Sequence, residues 1–166
     1  GAPFTGCLYC GLMLTEDGIR VIEFNVRFGD PETQVQLPLL ASSLAELLSA
    51  AARGDVDDAP LAMAPGASAV CVVLAAAGYP NAPQRGAAVA GIAAAEEHAG
   101  IKVFHAGTRV EEGRLVASGG RVLGVVCVRD GLSAALAGAY QAIGTDGVRF
   151  DGMAYRTDIA FRALAG

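Results

Sequence analysis

The sequence contains no tryptophan, two histidines, and aromatic residues at only 6% of its positions. So thin an aromatic supply argues against a stacking platform for single-stranded nucleic acid, which needs ring faces for successive bases. Positive charge is equally scarce. Lys102 is the single lysine, and twelve Lys and Arg stand against seventeen Asp and Glu, for a net charge of −5. The arginines are scattered, so there is no basic stripe to replace counterions on a phosphate backbone, and no nucleic-acid partner is expected. Long apolar runs are missing as well: no window approaches eighteen strongly apolar residues, so no membrane span is expected. No basic segment followed by an apolar core opens the chain, and a secretory leader is not expected either. An initial methionine is lacking, which leads us to expect a piece of a longer polypeptide.

What is present is apolar and small. The hydrophobic fraction is 53% and mean hydropathy +0.44, supplied largely by alanine, with 22 glycines besides. At 166 residues the length suits one ordinary domain, or one and a half small ones. Four cysteines stand at 7, 10, 71 and 127. Cys7 and Cys10 form a lone C-x-x-C, which is open to a redox or zinc reading. They fall in an apolar run that reads as a strand, where an odd spacing sends side chains to opposite faces. No second pair completes a metal set, so structural free thiols in a reducing cytoplasm are expected.

Periodicity and turn chemistry give a mixed α+β organisation. Runs at 6–14 and 19–28 flank Thr15-Glu16-Asp17-Gly18, a hairpin signal. Asp30 before Pro31 matches an N-cap with proline at the first helical position, and Pro38 should keep that helix short. Ser43-Leu44-Ala45-Glu46 is a capping box, with Leu44, Leu47 and Leu48 as the buried face and Gly54 as the stop. The segment 55–66 reads as the boundary between a first lobe, 1–58, and a β-rich second domain, 67–166. In the latter, strands are expected at 67–76, 103–110, 114–117 and 121–128. A turn at Glu111-Glu112-Gly113 and a helix over 132–143, started by Asp130 or Ser133, complete it. The tail, 150–165, has no clear pattern.

One strand carries polar residues at alternate positions. Within Val21-Ile22-Glu23-Phe24-Asn25-Val26-Arg27-Phe28, Glu23, Asn25 and Arg27 share a face, and the apolar residues between them share the buried one. A carboxylate and an amide oxygen two positions apart can converge on Mg²⁺, which is commonly held by one or two protein oxygens together with nucleotide phosphates. An arginine two further along can meet the charge of a transferring phosphoryl group. The plainer alternative is an exposed sheet face where Glu23 and Arg27 are solvated or weakly paired.

The longer segment Glu23-Phe24-Asn25-Val26-Arg27-Phe28-Gly29-Asp30-Pro31-Glu32-Thr33-Gln34 closely resembles one shared by phosphoribosylamine–glycine ligases. Glu-x-Asn-x-Arg is the general pattern of the ATP-grasp superfamily, and Phe-Gly-Asp-Pro-Glu-Thr-Gln narrows it to this ligase. The resemblance runs in order through Gly11-Leu12-Met13, Gly78-Tyr79-Pro80, Phe104-His105-Ala106-Gly107-Thr108, Gly119-Gly120-Arg121-Val122-Leu123-Gly124 and Tyr155-Arg156-Thr157-Asp158-Ile159. It implies the end of an ATP-grasp lobe followed by a small β-rich C-terminal domain. It also implies ATP-dependent joining of glycine to 5-phosphoribosylamine through glycyl phosphate, in purine synthesis in the cytoplasm.

By position, the resemblance makes Glu23 and Asn25 ligands of Mg²⁺ or Mn²⁺ and gives Arg27 the phosphoryl group or acyl phosphate. Asp30 is either an N-cap or a holder of the amino substrate. Gly119, Gly120 and Arg121 are either a glycine-rich turn or a cradle for the ribose 5-phosphate. His105 reads as structural and Tyr79-Pro80 as a turn. The glycine-rich loop and lysines that cover ATP in the family are not in this sequence, nor is a Walker-type loop. The chain is therefore expected to be an incomplete, inactive portion, with an apolar face exposed where an N-terminal ATP-grasp portion would pack. Two alternatives stay open: a related ATP-grasp carboxylate–amine ligase, and a non-catalytic module docking on a separate ATP-binding chain.

Overall fold

A computed structural model describes residues 1–164, which divide into two compact units, Gly1–Ala64 and a second that begins at Pro65. In the first unit, β1 (Tyr9–Thr15) and β2 (Gly18–Asn25) form an antiparallel hairpin, with Thr15 opposite Gly18 and Tyr9 opposite Asn25. Glu16 and Asp17 make the turn with ordinary negative φ. Gly18 supplies the positive φ, 107°, that a side chain would resist. A bulge between Gly11 and Leu12 shifts the register beside Glu23.

Three expectations for this hairpin need correction. Cys7 precedes β1 rather than lying on it, so the strand argument about the two cysteines does not apply; both are free thiols. β2 also stops at Asn25, so Arg27 lies in the bend beyond the strand. Nor is β2 buried: Ile22, Phe24 and Val26 are all more than half exposed.

Helix α1 (Glu32–Leu39) follows and includes Pro38 in its last turn. Asp30 does not cap it. Pro31 occupies the cap position after a cis Asp30–Pro31 bond, and no side chain caps the helix. The first turn is held instead by Thr33, whose backbone N–H and hydroxyl both donate to the Gly29 carbonyl, at 3.2 and 2.6 Å. Helix α2 (Leu44–Arg53) starts as its sequence indicates, with the Ser43 hydroxyl accepting from the Glu46 N–H at 3.3 Å. It ends on Gly54 in the left-handed region, where Gly54 N–H and Asp55 N–H return to the Ala51 and Ala50 carbonyls. Leu44 and Leu47 are partly buried, but Leu48 is exposed and Ala50 is the residue most enclosed. A 3₁₀ turn at Val56–Asp58 leads into a return segment pinned to the same unit by Ala41 N–H to Ala62 O, 2.8 Å, and Ala64 N–H to Leu39 O, 2.7 Å.

The second unit is built on a three-stranded antiparallel sheet in the order β3 (Ala67–Ala75), β7 (Arg121–Asp130), β4 (Ile101–His105). The central strand, Val122 to Cys127, is buried throughout, as an interior strand covered on both faces must be. On β3, Val70, Val72 and Leu74 alternate into the core. Helix α4 (Leu132–Gln141) lies on β3 and β7 through Ala135 and Ala139. It comes so close that a Cβ on Gly138 would stand 2.5 Å from the Cys127 sulfur. Neither Asp130 nor Ser133 caps α4; Gly131 holds that position with φ 83°.

The run expected as one strand over 103–110 is broken at Ala106-Gly107. Its first half is β4, and its second, β5 (Thr108–Glu111), forms a separate hairpin with β6 (Arg114–Ala117). Glu112 and Gly113 take positive φ there, 48° and 75°, as a tight hairpin turn of primed type requires. The short helices α3 (Ile92–Glu96) and α5 (Phe161–Leu164) had no sequence signal strong enough to propose them. The last two residues of the 67–166 range lie outside those described. No helix among the described residues is long and apolar enough to cross a membrane.

Candidate functional site

The end of β2 gathers the polar residues of the first unit. Glu23 faces Gly11 across the hairpin, and a Cβ on Gly11 would meet the Glu23 side chain at 3.3 Å, so glycine there leaves room for the carboxylate stem. Two residue pairs further on, Asn25 stands opposite Tyr9. The Asn25 amide nitrogen is buried and has no hydrogen-bond partner. A buried polar group normally finds a partner, and one left open at the end of a strand suits a ligand that completes it.

Tyr9 ties this strand end to the following helix: its hydroxyl donates to Glu32 Oε1 at 3.0 Å. Its phenol is raised above the ordinary value, first by that hydrogen bond and then by desolvation and by the charges of Glu32 and Glu23, with Arg27 opposing. The phenol is thus kept as the neutral donor, within electrostatic reach of both Glu23 and Arg27. Gly29 sits beneath this contact. A Cβ there would lie 2.5 Å from Glu32 Oε2 and 2.9 Å from the Tyr9 ring, so the Phe-Gly-Asp-Pro-Glu run admits only glycine at this point. Arg27, exposed in the bend, donates from Nη1 to the Phe28 carbonyl at 2.8 Å. Asp30 accepts from Gln34 Nε2 at 3.0 Å.

Glu23, Asn25, Arg27 and Asp30 therefore belong to one strand-to-helix junction, but by a bend rather than along one strand face. Among the described residues no three His, Cys, Asp or Glu side chains converge as a ready metal cage. The donor set of Glu23 and Asn25 is a hard carboxylate and an amide, which fits a Mg²⁺-type ion that takes its other oxygens from phosphates and water. The group left open on Asn25 is its amide N–H, a donor that suits an acceptor such as a phosphate oxygen, whereas the ion would take the amide oxygen. Tyr9 and Glu32 escaped the sequence reading as site members. Their signal was the position of Glu32 in the same twelve-residue segment, but only the hairpin register brings Tyr9 to it.

In the second unit, Gly119 and Gly120 are explained by backbone crowding. The Gly119 N–H donates to the Gly107 carbonyl, at 3.2 Å, and a Cβ on Gly119 would lie 3.0 Å from the Gly107 Cα. A Cβ on Gly120 would lie 2.5 Å from the Tyr79 ring. Arg121, at the start of β7, lines a groove of about 390 Å³ together with Tyr79, Tyr155 and Arg156. His105 is engaged with the Thr108 hydroxyl at 2.9 Å, in keeping with a structural role.

Comparison with known proteins places both units. The family model for the phosphoribosylglycinamide synthetase C domain matches residues 69–162, and that for its ATP-grasp (A) domain matches residues 1–33. A phosphoribosylamine–glycine ligase from Synechocystis sp. is 48% identical over 166 residues, which is 99% of this chain and 39% of that protein. The trifunctional purine biosynthetic protein adenosine-3 of Gallus gallus is 44% identical over 165 residues, 99% of this chain but 16% of its own length. The crystal structure of phosphoribosylamine–glycine ligase from Thermotoga maritima is 36% identical with a TM-score of 0.70, covering 91% of this chain and 36% of that one. The chain thus spans well under half the length of the curated relatives it matches. With similarity running through both units and the junction segment intact, the chain belongs to the phosphoribosylglycinamide synthetase family.

Proposed function

We propose that this chain supplies the metal-binding junction and the C-terminal domain of a ligase that joins glycine to 5-phosphoribosylamine at the expense of ATP, giving glycinamide ribonucleotide in the cytoplasm. The observation that carries this reading is the junction of β2 and α1, where Glu23, Asn25, Arg27 and Asp30 follow one another along the chain and the Asn25 amide N–H has an open hydrogen-bond position. Residues 1–58 serve as the end of the ATP-grasp lobe and 67–166 as the C-terminal domain.

Glu23 and Asn25 hold Mg²⁺ or Mn²⁺. When bound, the ion neutralises phosphate charge and orients the nucleotide. Arg27 stabilises the transferring phosphoryl group and then the acyl phosphate of glycine, whose carboxylate is activated by attack on the γ-phosphoryl group. Asp30 holds the amino substrate. Its carboxylate, which accepts from Gln34 Nε2, is the kind of group that pairs with an ammonium. Tyr9, kept neutral by Glu32, fixes the spacing between strand and helix. On the C-terminal domain, Arg121 binds the ribose 5-phosphate of the amine substrate. Gly119 and Gly120 serve that site by allowing the backbone to approach.

The nucleotide-covering loop and lysines come from an N-terminal ATP-grasp portion. The exposed apolar residues of the hairpin, Leu14 at 81% and Val26 at 74% among them, are the surface for such a contact. The test is ADP release with Mg-ATP, glycine and freshly generated phosphoribosylamine. No turnover is expected from the chain alone, and turnover should appear when the N-terminal portion of a relative is added. Loss of the rescued activity in Glu23→Ala supports the assignment. Full turnover without the added portion, or rescue indifferent to Glu23→Ala, overturns it.

A further inference from the structure

The second unit holds a further cavity, of about 320 Å³, that the proposed ligase chemistry does not use. Its strand side is formed by His98 in the turn before β4, by Ile101, and by Arg129 near the end of β7. Its helix side is formed by Gln141 and Ala142 at the end of α4 and by Asp146 in the loop beyond. Backbone contacts hold both sides. The Ile101 N–H donates to the His98 carbonyl at 3.1 Å, and the Val128 N–H to the Gly100 carbonyl at 2.9 Å, which fixes the turn beside Arg129. The Val148 N–H donates to the Ala142 carbonyl at 2.8 Å. Arg149 Nη1 donates to the Thr145 and Gly147 carbonyls, at 3.0 and 3.2 Å, so the loop is clamped on either side of Asp146.

The two sides carry opposite charge. Arg129 is half-buried and lies over Gly100, where a Cβ would stand 2.1 Å from its Nη1. That nitrogen donates to the Val128 carbonyl at 3.1 Å, which engages one of the five N–H groups of the fork. On the helix side stand the Asp146 carboxylate and the last turn of α4, where the helix dipole leaves partial negative charge. Arg129 and Asp146 line one cavity, yet among the described residues neither forms an ion pair. Two opposite charges that share a cavity without touching suit a molecule that carries both signs and bridges them. His98, Gln141 and Asp146 are exposed, so the cavity opens to solvent, while Ile101 and Ala142 give it an apolar patch. The volume lies at the lower end of the range of ~300–1,000 Å³ typical of small-molecule sites, which suits one amino acid and exceeds what glycine would fill.

We propose that this cavity binds a free α-amino acid with an aliphatic side chain. Its carboxylate pairs with Arg129, its ammonium group sits between Asp146 and the end of α4, and its side chain lies against Ile101 and Ala142. The site belongs to the second unit alone and does not rest on the ligase reading.

The experiment is an NMR titration of the whole 166-residue chain with L-leucine. Isocaproate and isoamylamine serve as controls that keep the side chain with one charge each, and glycine as one that keeps both charges without the side chain. L-Leucine should shift the amides near Ile101, Arg129 and Asp146. Each control should bind at least about tenfold more weakly, since each keeps only part of the contact. Asp146→Asn, which keeps the shape but removes the charge, and Arg129→Lys, which keeps the charge but loses the planar fork, should each weaken binding by about tenfold. The amides of β3 report whether either variant has disturbed the fold. Absence of shifts, shifts confined to other parts of the chain, any control binding as tightly as L-leucine, or affinity unchanged in both folded variants would each overturn the proposal.

Discussion

The two units of this chain handle apolar side chains in opposite ways. In the second, valines and leucines of β3 and β7 are sealed against α4, with Val72, Leu74, Val125 and Cys127 at or near zero exposure. In the first, the hairpin is also rich in apolar residues, yet Leu12, Leu14, Ile22, Phe24 and Val26 stand largely in solvent and Ala50 is the one apolar side chain that is buried. The strand sequences look alike; what differs is the supply of a covering layer. A two-stranded hairpin is too small to make a core alone, whereas three strands under a helix can. The comparison teaches that the first unit is a surface as much as a structure. Its polar junction and its bare apolar faces both make sense when another polypeptide segment covers them.

The contrast can be broken by substitution. Glu23→Ala should lower the rescued ligase activity by about 10²–10³-fold, the scale of losing a main electrostatic contact in a reacting site. Because Glu23 is exposed, the thermal melt of the chain should not move. Equal losses of activity and stability would mean that the junction is merely structural. Leu74→Ala should cost about 2–5 kcal/mol, read as a lower denaturant midpoint, because the side chain is fully buried. The matching truncation in the hairpin, Ile22→Ala, should change stability by about 0.5 kcal/mol or less, as at other exposed sites. A large effect at Ile22 would show that the hairpin is covered in solution.

A smaller effect is expected at the start of α2, where Ser43→Ala removes the acceptor for the Glu46 N–H. It should cost about 1 kcal/mol, seen as faster hydrogen exchange in the first turn. The least effect concerns pH. The Asp158 carboxyl is held below its ordinary value, first by the hydrogen bond from Arg156. Its contribution is therefore fully present above the usual carboxylate range and is lost as pH falls through the lowered folded value. The pair is exposed, so the change in global stability should be slight. The sharper readout is the Arg156 side-chain NMR signal, which should be unaffected by pH above that range and should broaden or shift below it.

Much of the second unit was legible in the sequence. β6 followed from the turn that precedes it, the start of β7 from a β-branched run, and the tight turn at Glu112-Gly113 from its glycine. The break at Ala106-Gly107 was not, because Gly107 is required by a contact with the distant Gly119 backbone, which no local pattern records. In the first unit, the Ser43 cap and the Gly54 stop were readable because both act within a turn of helix. Asp30 misled: its place before a proline is good local capping chemistry, but the helix begins later, and Thr33 and Gly29 hold its first turn. Arg27 was assigned to a strand face because alternation continued, while the hairpin partner had already ended at Tyr9.

By itself, the sequence determined the family, most of the longer strands and helices, and the residue types able to hold a metal, a phosphate and an amine. These depend on short spacings and side-chain chemistry, and both are written along the chain. Only the tertiary structure decided which residues meet. Register across the hairpin brings Tyr9 to Glu32 beside Glu23. Pairing of Ala75 with Ala154 brings Arg156 to Arg121. Such contacts join positions tens of residues apart, and they are selected by which apolar faces can be buried together, a condition that no single stretch of sequence contains.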